Sequence, residues 1–321
     1  MLHLGLEGGR AALCARLFAE TTRDGVYTHG LNRFPRFAAM VANGCIDVSA
    51  EPTRVAGAGA LERWDGHLGP GNLNAYAAME RAIELAREHG LGGVALANTN
   101  HWMRGGSYGW LAADRGVLAL CWTNTLPNLP AWGTATPTLG NNPLVIAIPR
   151  PQGAHVVLDM AVSQFSYGAI SAYAARGEQL PVPGGFDAAG NPTTDPTVIE
   201  TTKRALPIGY WKGSGLSLAL DLLAAMLSGG QATHQLPRDP QRESGMSQIF
   251  LAIDPASFAD RAEFDGIAKG ILESLEAVVP LDPARPVRYP GQQTLRLREE
   301  NFRLGVPVDS AIWDRLLALS F

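Results

Sequence analysis

The chain has 321 residues, of which 46% are hydrophobic and 17% are charged, and its formal net charge is −4. This size suits one large domain or two intimately packed ones, and the mild negative charge excludes the broad basic surface that binds nucleic acid. Three scattered cysteines without a C-x-x-C pair exclude a zinc ribbon or redox dithiol. With no signal-peptide pattern and no bilayer-spanning run, we expect a cytoplasmic protein without a membrane or nucleic-acid partner.

Helical and extended patterns alternate along the chain. In chain order the predicted elements are helices at 9–23 and 35–44, two extended runs in 52–66, a helix from 72 or 74 to 89, a strand at 93–97, a helix at 107–115, strands at 117–123, 144–149 and 156–160, helices at 165–175 and 215–227, a strand at 247–253, a helix within 256–278 and a helix at 309–319. Asn72 or Asn74 is the expected N-cap of the third helix, and Asp309 that of the last. A Pro/Gly-rich loop is expected through Thr197, and the apolar run at 215–227 predicts a buried helix. This alternation indicates an α/β fold.

Two glycine-rich segments are candidates for a nucleotide site. The Gly-Ala-Gly at 57–59 has Glu62 where a Rossmann fingerprint needs a third small residue, so a hairpin turn is the favoured interpretation. The segment 212–215 (KGSG) opens the apolar helix, where backbone N–H groups can hold phosphate oxygens. A simple glycine turn that feeds the helix explains 212–215 equally well.

The segment 27–34 (YTHGLNRF) places an imidazole four residues before a guanidinium. His29 can give or take a proton near neutral pH, and the planar fork of Arg33 matches a carboxylate. A proton donor beside a carboxylate clamp is what reduction of a 2-oxo acid requires. The alternative is that both are surface residues on one helical turn.

Two further segments combine glycine with polar groups. Residues 98–107 follow a predicted strand, at the edge of an α/β sheet where ligands bind, and His101 there either contacts a substrate or bonds to backbone. In 140–143 (GNNP) the asparagines either stabilise the turn or donate to a substrate. No cluster has metal-ligand spacing and no G-x-S-x-G elbow exists, so we expect neither a metal site nor a serine hydrolase.

Aromatic- and glycine-rich strings carry a family resemblance over nearly the whole length. They are the segments 26–37, 100–110, 121–124, 165–168, 179–182, 209–215 and 247–250. With them the chain resembles the type-2 malate/L-lactate dehydrogenase family, a group of nicotinamide-dependent 2-oxo acid reductases. The resemblance implies a mixed-sheet α/β fold that binds NAD without a Rossmann domain.

The resemblance also implies roles for individual residues. His29 matches the proton donor, Arg33 the partner of the substrate carboxylate, and His101 and Asn142 match positions that line the substrate pocket. The positions that match cofactor contacts are His155, Val156, Val157, Leu158, Asp159, Met160, Ala161, Trp211, Lys212, Pro290, Gly291 and Gln292.

The implied reaction is reduction of a 2-oxo sugar acid, with hydride transferred to C2 from NADH, or alternatively NADPH, and the proton from His29. Members form dimers whose partners complete each other's sites, so a homodimer is expected. We expect residues 1–321 to be one intimately packed unit, with a cofactor-binding portion at roughly 70–255 and the terminal segments packed together. The alternatives are another 2-oxo acid, of the malate, lactate, ureidoglycolate or cyclic imino acid type, or a catalytically silent sugar-acid-binding protein.

Overall fold

A mixed sheet forms the centre of the fold in a computed structural model that describes residues 1–258 and 260–319. The strands of this described part are β1 (Thr53–Ala58), β2 (Leu61–Asp65), β3 (Leu91–Asn100), β4 (Leu118–Thr123), β5 (Leu129–Pro130), β6 (Pro137–Leu139), β7 (Leu144–Ile148), β8 (Val156–Met160), β9 (Gly185–Phe186), β10 (Pro192–Thr193) and β11 (Ser244–Ile253). Within it, seven strands form one sheet in the order β1-β2-β3-β11-β4-β7-β8. The β2–β3 pair is parallel, and the other neighbouring pairs are antiparallel.

Helices cover both faces of this sheet. They are α1 (Gly8–Arg23), α2 (Phe34–Ala42), α3 (Gly71–His89), α4 (Gly106–Asp114), α5 (Tyr167–Arg176), α6 (Pro196–Thr202), α7 (Trp211–Ser228), α8 (Arg261–Glu276), α9 (Gln292–Leu304) and α10 (Ser310–Leu317). None of the helices in the described part of the chain combines the length and apolar character that crossing a membrane requires.

The core lies between the sheet and these helices. Successive side chains of a strand point to opposite faces, and β11 shows this directly. Phe250 joins the core under α3 and α4, whereas its neighbour Ile249 packs under α7 with Trp122 and Leu220. The contact between α3 and β3 is so close that a Cβ on Gly92 would lie 2.2 Å from the Ala82 carbonyl oxygen. This contact fixes the start of β3. At the other end of the strand, from which one wall of the cleft described below is built, a Cβ on Gly71 of α3 would lie 2.2 Å from the Asn100 carbonyl oxygen.

The N-terminal and C-terminal segments contact each other at the end of α1. Asp24 accepts hydrogen bonds from Arg298 on α9, at 2.9 Å from Nε and 2.7 Å from Nη2. The Arg23 guanidinium lies 4.9 Å from the Phe302 ring centroid, and the Asn301 amide donates to the Arg23 carbonyl oxygen. Residues almost three hundred positions apart thereby hold the start and end of the chain together.

Most predicted elements are confirmed, within a few residues of the expected bounds. Gly25 and Gly90 have the left-handed backbone expected at helix ends, with φ of 82° and 83°. Residues 57–59 lie in the β1–β2 hairpin, as the turn interpretation predicts. Asp309 caps α10 by accepting from two backbone N–H groups of its first turn. The predicted helix within 256–278 is α8; that range includes residue 259, which lies outside the described residues.

The predicted caps of α3 are wrong. The helix begins at Gly71, directly after Pro70, and both asparagines lie inside its first turn. The Asn74 amide nitrogen donates instead to the Gly66 carbonyl oxygen and to Thr99 Oγ1. Asn72 is buried, and its amide nitrogen contacts the Cys14 sulfur at 3.3 Å. Tertiary partners therefore take the polar groups that a local pattern assigns to capping.

The expectation of a buried helix at 215–227 is also wrong. Helix α7 starts earlier, at Trp211, and it buries its polar side chains Ser217 and Asp221. Its apolar side is exposed, with Leu222 at 51% and Met226 at 72% accessibility. The reason is that Asp221 accepts hydrogen bonds from Asn124 and from the Thr233 N–H, which turns the polar side of the helix towards the sheet.

Two helices were missed. Helix α6 starts inside the expected loop, where Asp195 caps it and Pro196 occupies its first turn, an Asp-Pro signal that the sequence does carry. Helix α9 begins after the left-handed Gly291, in a stretch whose many charged residues hide its apolar positions.

Candidate active site

A single large cleft, with a volume of about 1300 Å³, brings together most of the predicted site residues. Its walls come from the loops that contain His29 and His101, from the end of β8, from α5 and α6, and from the segment before α9. The predicted residues that line it are His29, Arg33, His101, Val157, Leu158, Asp159, Ala161, Pro290 and Gly291.

His29 is held by a short 3-10 turn (Tyr27–His29) that follows α1. Thr22 on the last turn of α1 accepts a hydrogen bond from the Leu31 N–H at 2.8 Å. Gly30 passes so close that a Cβ there would lie 2.2 Å from Thr22 Oγ1, so the chain needs glycine next to the histidine. The end of α1 therefore anchors the loop and sets the direction of the imidazole.

The rings of His29 and His101 stack, with centroids 5.7 Å apart and planes within 18° of parallel. The Thr28 hydroxyl oxygen lies 3.0 Å from His29 Nδ1. The Met103 N–H donates to His101 Nδ1 at 3.0 Å. Because this nitrogen accepts, the neutral His101 carries its proton on Nε2 and presents a hydrogen-bond donor.

Both imidazoles are neutral at physiological pH in the protein alone. Burial inside the cleft, followed by the charges of Arg33 and Arg104, lowers the pKa of His29 to about 4. Burial and the charge of Arg33 also hold the pKa of His101 well below its ordinary value. An anion bound beside these guanidinium groups would remove part of the effect and favour the imidazolium.

Arg33 shares a carboxylate with a second arginine. Its Nη2 donates to Glu243 Oε2 at 2.7 Å, and Arg36 Nη2 donates to the same oxygen at 2.8 Å. Glu243 immediately precedes β11 and is almost fully buried. Two positive charges thus face one negative charge, which leaves a net positive site one helical turn from His29.

The end of β8 and the segment before α9 form the opposite wall. Asp159 accepts a hydrogen bond from the Gly106 N–H at 2.8 Å, at the N-terminus of α4. The Val157 N–H donates to the Pro290 carbonyl oxygen at 3.0 Å, which ties the two segments together. The accessible surface of Asp159 opens onto the cleft, and burial there raises the pKa of its carboxyl, against the charge of Arg104 and the Gly106 hydrogen bond.

Two predicted residues, Asn142 and His155, lie in the surrounding structure rather than in the cleft wall. Asn142 is fully buried, accepts from the Thr125 N–H at 3.0 Å and donates to the Ser217 carbonyl oxygen at 2.9 Å; its neighbour Asn141 lines the cleft instead. His155 accepts from the Arg150 N–H at 2.9 Å and lies 3.0 Å from Asp114.

The other predicted cofactor positions also lie outside the cleft lining. Val156 and Met160 pair with β7 at the two ends of β8. Gln292 begins α9, and its buried Oε1 has no hydrogen-bond partner within the described residues. Trp211 and Lys212 are exposed on the first turn of α7.

Several charged cleft residues were not predicted. Of the described residues that line the cleft, seven are cationic (Arg33, Arg36, Arg104, Lys203, Arg238, Arg288 and Arg315) and three are anionic (Asp159, Glu200 and Glu243). Glu243 lies 210 positions from Arg33, so no local pattern links them. The cleft is cation-rich although the chain has a formal net charge of −4, and it therefore favours anionic ligands.

The cleft has room for a dinucleotide, and the described residues form no metal site. Its volume exceeds the ~300–1,000 Å³ of ordinary ligand sites, so a dinucleotide and a small acid fit together. Arg104 lines the cleft, and its buried Nε has no partner within the described residues, which suits an anionic oxygen. Among those same residues, no group of three His, Cys, Asp or Glu side chains has an arrangement that could hold a metal ion.

Comparisons with known proteins identify the relatives of this chain. Residues 1–317 match the family model of malate/L-lactate dehydrogenase. The 2,3-diketo-L-gulonate reductases of Citrobacter koseri and Klebsiella pneumoniae are each 46% identical over 319 residues, which cover 99% of this chain and 96% of the relative. The solved structure of sulfolactate dehydrogenase from Methanocaldococcus jannaschii is similar with a TM-score of 0.89 and 28% identity, and the match covers 98% of this chain and 90% of that one.

The fold and the comparisons define the protein as an oxidoreductase of the dehydrogenase class. More particularly, the chain belongs to the malate/L-lactate dehydrogenase family. The predicted family and the mixed α/β fold are thereby confirmed, and a nicotinamide cofactor follows from the family.

Proposed function

We propose that this protein reduces the 2-oxo group of a sugar acid, 2,3-diketo-L-gulonate, to 3-dehydro-L-gulonate. The relatives with 46% identity over almost their whole length are named for this reduction. The observation that carries the proposal is the stacked pair of His29 and His101 beside the Arg33–Arg36–Glu243 cluster. This arrangement places a proton donor next to a carboxylate site, as a 2-oxo acid requires.

The arginine cluster binds the substrate carboxylate. Glu243 occupies one nitrogen of Arg33, so the rest of the planar guanidinium remains for the carboxylate of the 2-oxo acid. Arg36 adds a second cation that Glu243 neutralises only in part. Binding of one carboxylate brings this group of charges to neutrality, which favours a monoanionic substrate.

His29 then acts as the general acid. The bound carboxylate offsets the charge of Arg33, so the pKa of His29 rises from its low value and the imidazolium forms in the complex. His29 transfers this proton to the carbonyl oxygen as the alkoxide develops, a contribution of about 10²–10⁴ in rate. The Nε2–H of His101 donates to the same oxygen or to the neighbouring one.

A reduced nicotinamide, when bound, supplies the hydride to C2. Val157, Leu158, Asp159 and Ala161, together with the Pro290–Gly291 turn, form the wall that would hold the dinucleotide. The unpartnered Nε of Arg104 suits one of its phosphate oxygens. We propose NADH as the cofactor, with NADPH as the alternative. The assay below distinguishes the two cofactors.

The proposal includes a homodimer. Helix α7 exposes a row of apolar side chains, and beside it an apolar groove of about 280 Å³ crosses β1, β2, β3 and β11. Helix and groove together fit α7 of a second copy in a two-fold arrangement. Trp211 and Lys212 stand exposed on the first turn of the same helix, where they can reach the cofactor of the partner subunit.

The location is proposed to be the cytoplasm. Cys14, Cys45 and Cys121 are all free and buried, which suits a reducing compartment.

The proposed function is tested by following nicotinamide absorbance with a panel of 2-oxo acids and both cofactors. We expect oxidation of NADH with 2,3-diketo-L-gulonate at a higher kcat/KM than with oxaloacetate, pyruvate or a cyclic imino acid. His29→Ala should lose at least 100-fold in kcat while it still quenches or shifts NADH fluorescence. Binding of the sugar acid without NADH oxidation would instead identify a silent binding protein, and a higher kcat/KM for another 2-oxo acid would replace the substrate.

A further inference from the structure

Two opposite charges on α6 line the cleft and have no role in the chemistry above. Glu200 and Lys203 lie one turn apart, and both contribute to the wall of the cleft. Among the described residues, neither forms an ion pair with another side chain. We propose that Glu200 and Lys203 recognise the hydroxyl groups of the sugar acid beyond its ketone and so determine the preference for a polyhydroxy substrate. This inference rests on the proposed function.

The position of this wall relative to His29 follows from one close contact. Helix α5 begins beside the His29 loop, where a Cβ on Gly168 would lie 2.7 Å from Thr28 Cγ2. Ser171 lies three residues further along α5, on the same face and one turn away. The Ser171 hydroxyl donates to Glu200 Oε1. The Glu200 carboxylate is therefore one helical turn and one hydrogen bond away from Gly168, which contacts Thr28 next to His29. A carbon chain whose ketone is at His29 extends towards this point.

The wall is rigid enough to read hydroxyl positions. Ile170, Leu180 and Ile199 form a small buried cluster between α5 and α6. Asp195 caps α6, and Lys203 ends it in the left-handed region with φ of 55°, where its backbone N–H is bonded to the Ile199 carbonyl oxygen at 2.9 Å. The residues that cap the two ends of the helix, Asp195 and Lys203, therefore fix its position.

Lys203 has an aromatic support. Its Nζ lies 5.9 Å from the centroid of the Tyr167 ring. Burial raises the pKa of Tyr167 to about 12, and the neutral phenol donates to the Asn128 carbonyl oxygen at 2.8 Å, which holds the ring still. The ammonium group is thus positioned without losing its three donors to a carboxylate.

The chemistry of the pair suits vicinal hydroxyls. A carboxylate only accepts hydrogen bonds, so Glu200 can take hydroxyl donors but repels the acid end of the substrate, which the arginine cluster binds. Lys203 only donates, so it serves the oxygen lone pairs of the same or the next hydroxyl. The ribose of a dinucleotide also carries vicinal hydroxyls. The experiment therefore has to distinguish binding of the sugar acid from binding of the ribose.

The experiment compares wild type with Glu200→Gln and Lys203→Met on two substrates with NADH. The substrates are 2,3-diketo-L-gulonate and pyruvate, which has no hydroxyl groups. We expect each variant to lose about 10- to 100-fold in kcat/KM on the sugar acid, as for loss of a hydrogen bond to a charged group. On pyruvate we expect kcat/KM to remain within twofold of wild type.

Two further measurements make every outcome decisive. The dissociation constant for NADH, measured by fluorescence, should be unchanged in both variants, and a rise would assign the pair to the ribose and overturn the proposal. Glu178→Gln, at an exposed glutamate after α5 that pairs with Arg176, is the matched control and should behave as wild type. Equal losses on both substrates, or no loss on either, would also overturn it. A wild type that reduces neither substrate would instead refute the proposed function.

Discussion

At the scale of single residues, the surroundings of His29 favour its neutral form. Burial, followed by the charges of Arg33 and Arg104, holds the pKa of His29 at about 4 in the protein alone. At neutral pH a histidine with this pKa is almost entirely unprotonated until an anion binds beside it. In the proposed reaction the substrate carboxylate is that anion, so its binding would favour the imidazolium form of His29.

This linkage predicts two different pH profiles for the reduction. The profile of kcat/KM follows the free enzyme and that of kcat follows the complex. Both should fall as pH rises, because the imidazolium is the acid, but the midpoint for kcat should lie at higher pH than the midpoint for kcat/KM. Initial rates between pH 4 and 9 at varied substrate concentration measure both. Coincident midpoints would contradict the linkage.

In the proposed complex Arg33 binds both Glu243 and the substrate carboxylate, so the single ammonium group of a lysine should be a poor replacement. In Arg33→Lys the single ammonium has to serve both Glu243 and the substrate carboxylate, and the planar fork is lost. We expect kcat/KM for the 2-oxo acid to fall by about 100-fold, close to the loss of one charge-assisted hydrogen bond. Steady-state kinetics check this, with Arg16→Lys, an arginine on α1 outside the cleft lining, as the control. An unchanged kcat/KM would end the clamp assignment.

At the scale of elements, α7 reverses the usual amphipathic arrangement. Its buried positions include Ser217 and Asp221, and Asp221 holds together Asn124 and the Thr233 backbone. Four leucines of the helix consequently face outward, namely Leu218, Leu222, Leu223 and Leu227. An exposed apolar row of this length is expected to be covered by another surface, and the neighbouring sheet groove makes a second copy of the chain the proposed occupant.

A charge on the outer face of α7 tests that assignment. Leu222 is 51% exposed, so Leu222→Glu should leave the folded protomer intact while it separates the subunits. We expect light scattering after size-exclusion chromatography to give the mass of a dimer for wild type and of a monomer for the variant, with unchanged circular dichroism. Leu2→Glu, at an exposed leucine near the N-terminus, should stay dimeric. A monomeric wild type would refute the dimer.

At the scale of the whole molecule, one aspartate joins three distant segments. Asp24, at the end of α1, accepts from Arg104 in the loop after β3 at 2.7 Å and from Arg298 on α9. Burial raises the pKa of Asp24, but its hydrogen bonds to Arg298 and the charge of Arg104 leave this pKa below the ordinary value. The carboxylate therefore stays ionised and holds together the two ends of the chain and one wall of the cleft.

Removal of this carboxylate should destabilise the protein as one unit. In Asp24→Ala the buried guanidinium of Arg104 loses its counter-ion, which we expect to cost about 3–5 kcal/mol in the free energy of unfolding. Urea unfolding at a fixed protein concentration measures it, and Asp282→Ala, at an exposed pair with Arg285, should leave the midpoint unchanged. A separate early transition confined to α9 would show that the terminal segment unfolds independently.

The sequence by itself determined the local elements and the residue types of the site. Periodicity and glycine positions act within a few residues, so they predict α1, the β1–β2 hairpin and the C-terminal end of α3 correctly. The same holds for the spacing of His29 and Arg33, which one turn brings into the same cleft.

Only the tertiary structure decided which side chains meet. Glu243 reaches Arg33 from 210 positions away, and Asn141 rather than Asn142 faces the cleft because Asn142 is bonded to Thr125 and Ser217. The outward leucines of α7 follow in the same way from the buried hydrogen bonds of Asp221. The physical reason is that a hydrogen-bonding group satisfies itself with the nearest partner in space, and the partners of these residues are brought close by sheet order and helix packing rather than by chain distance.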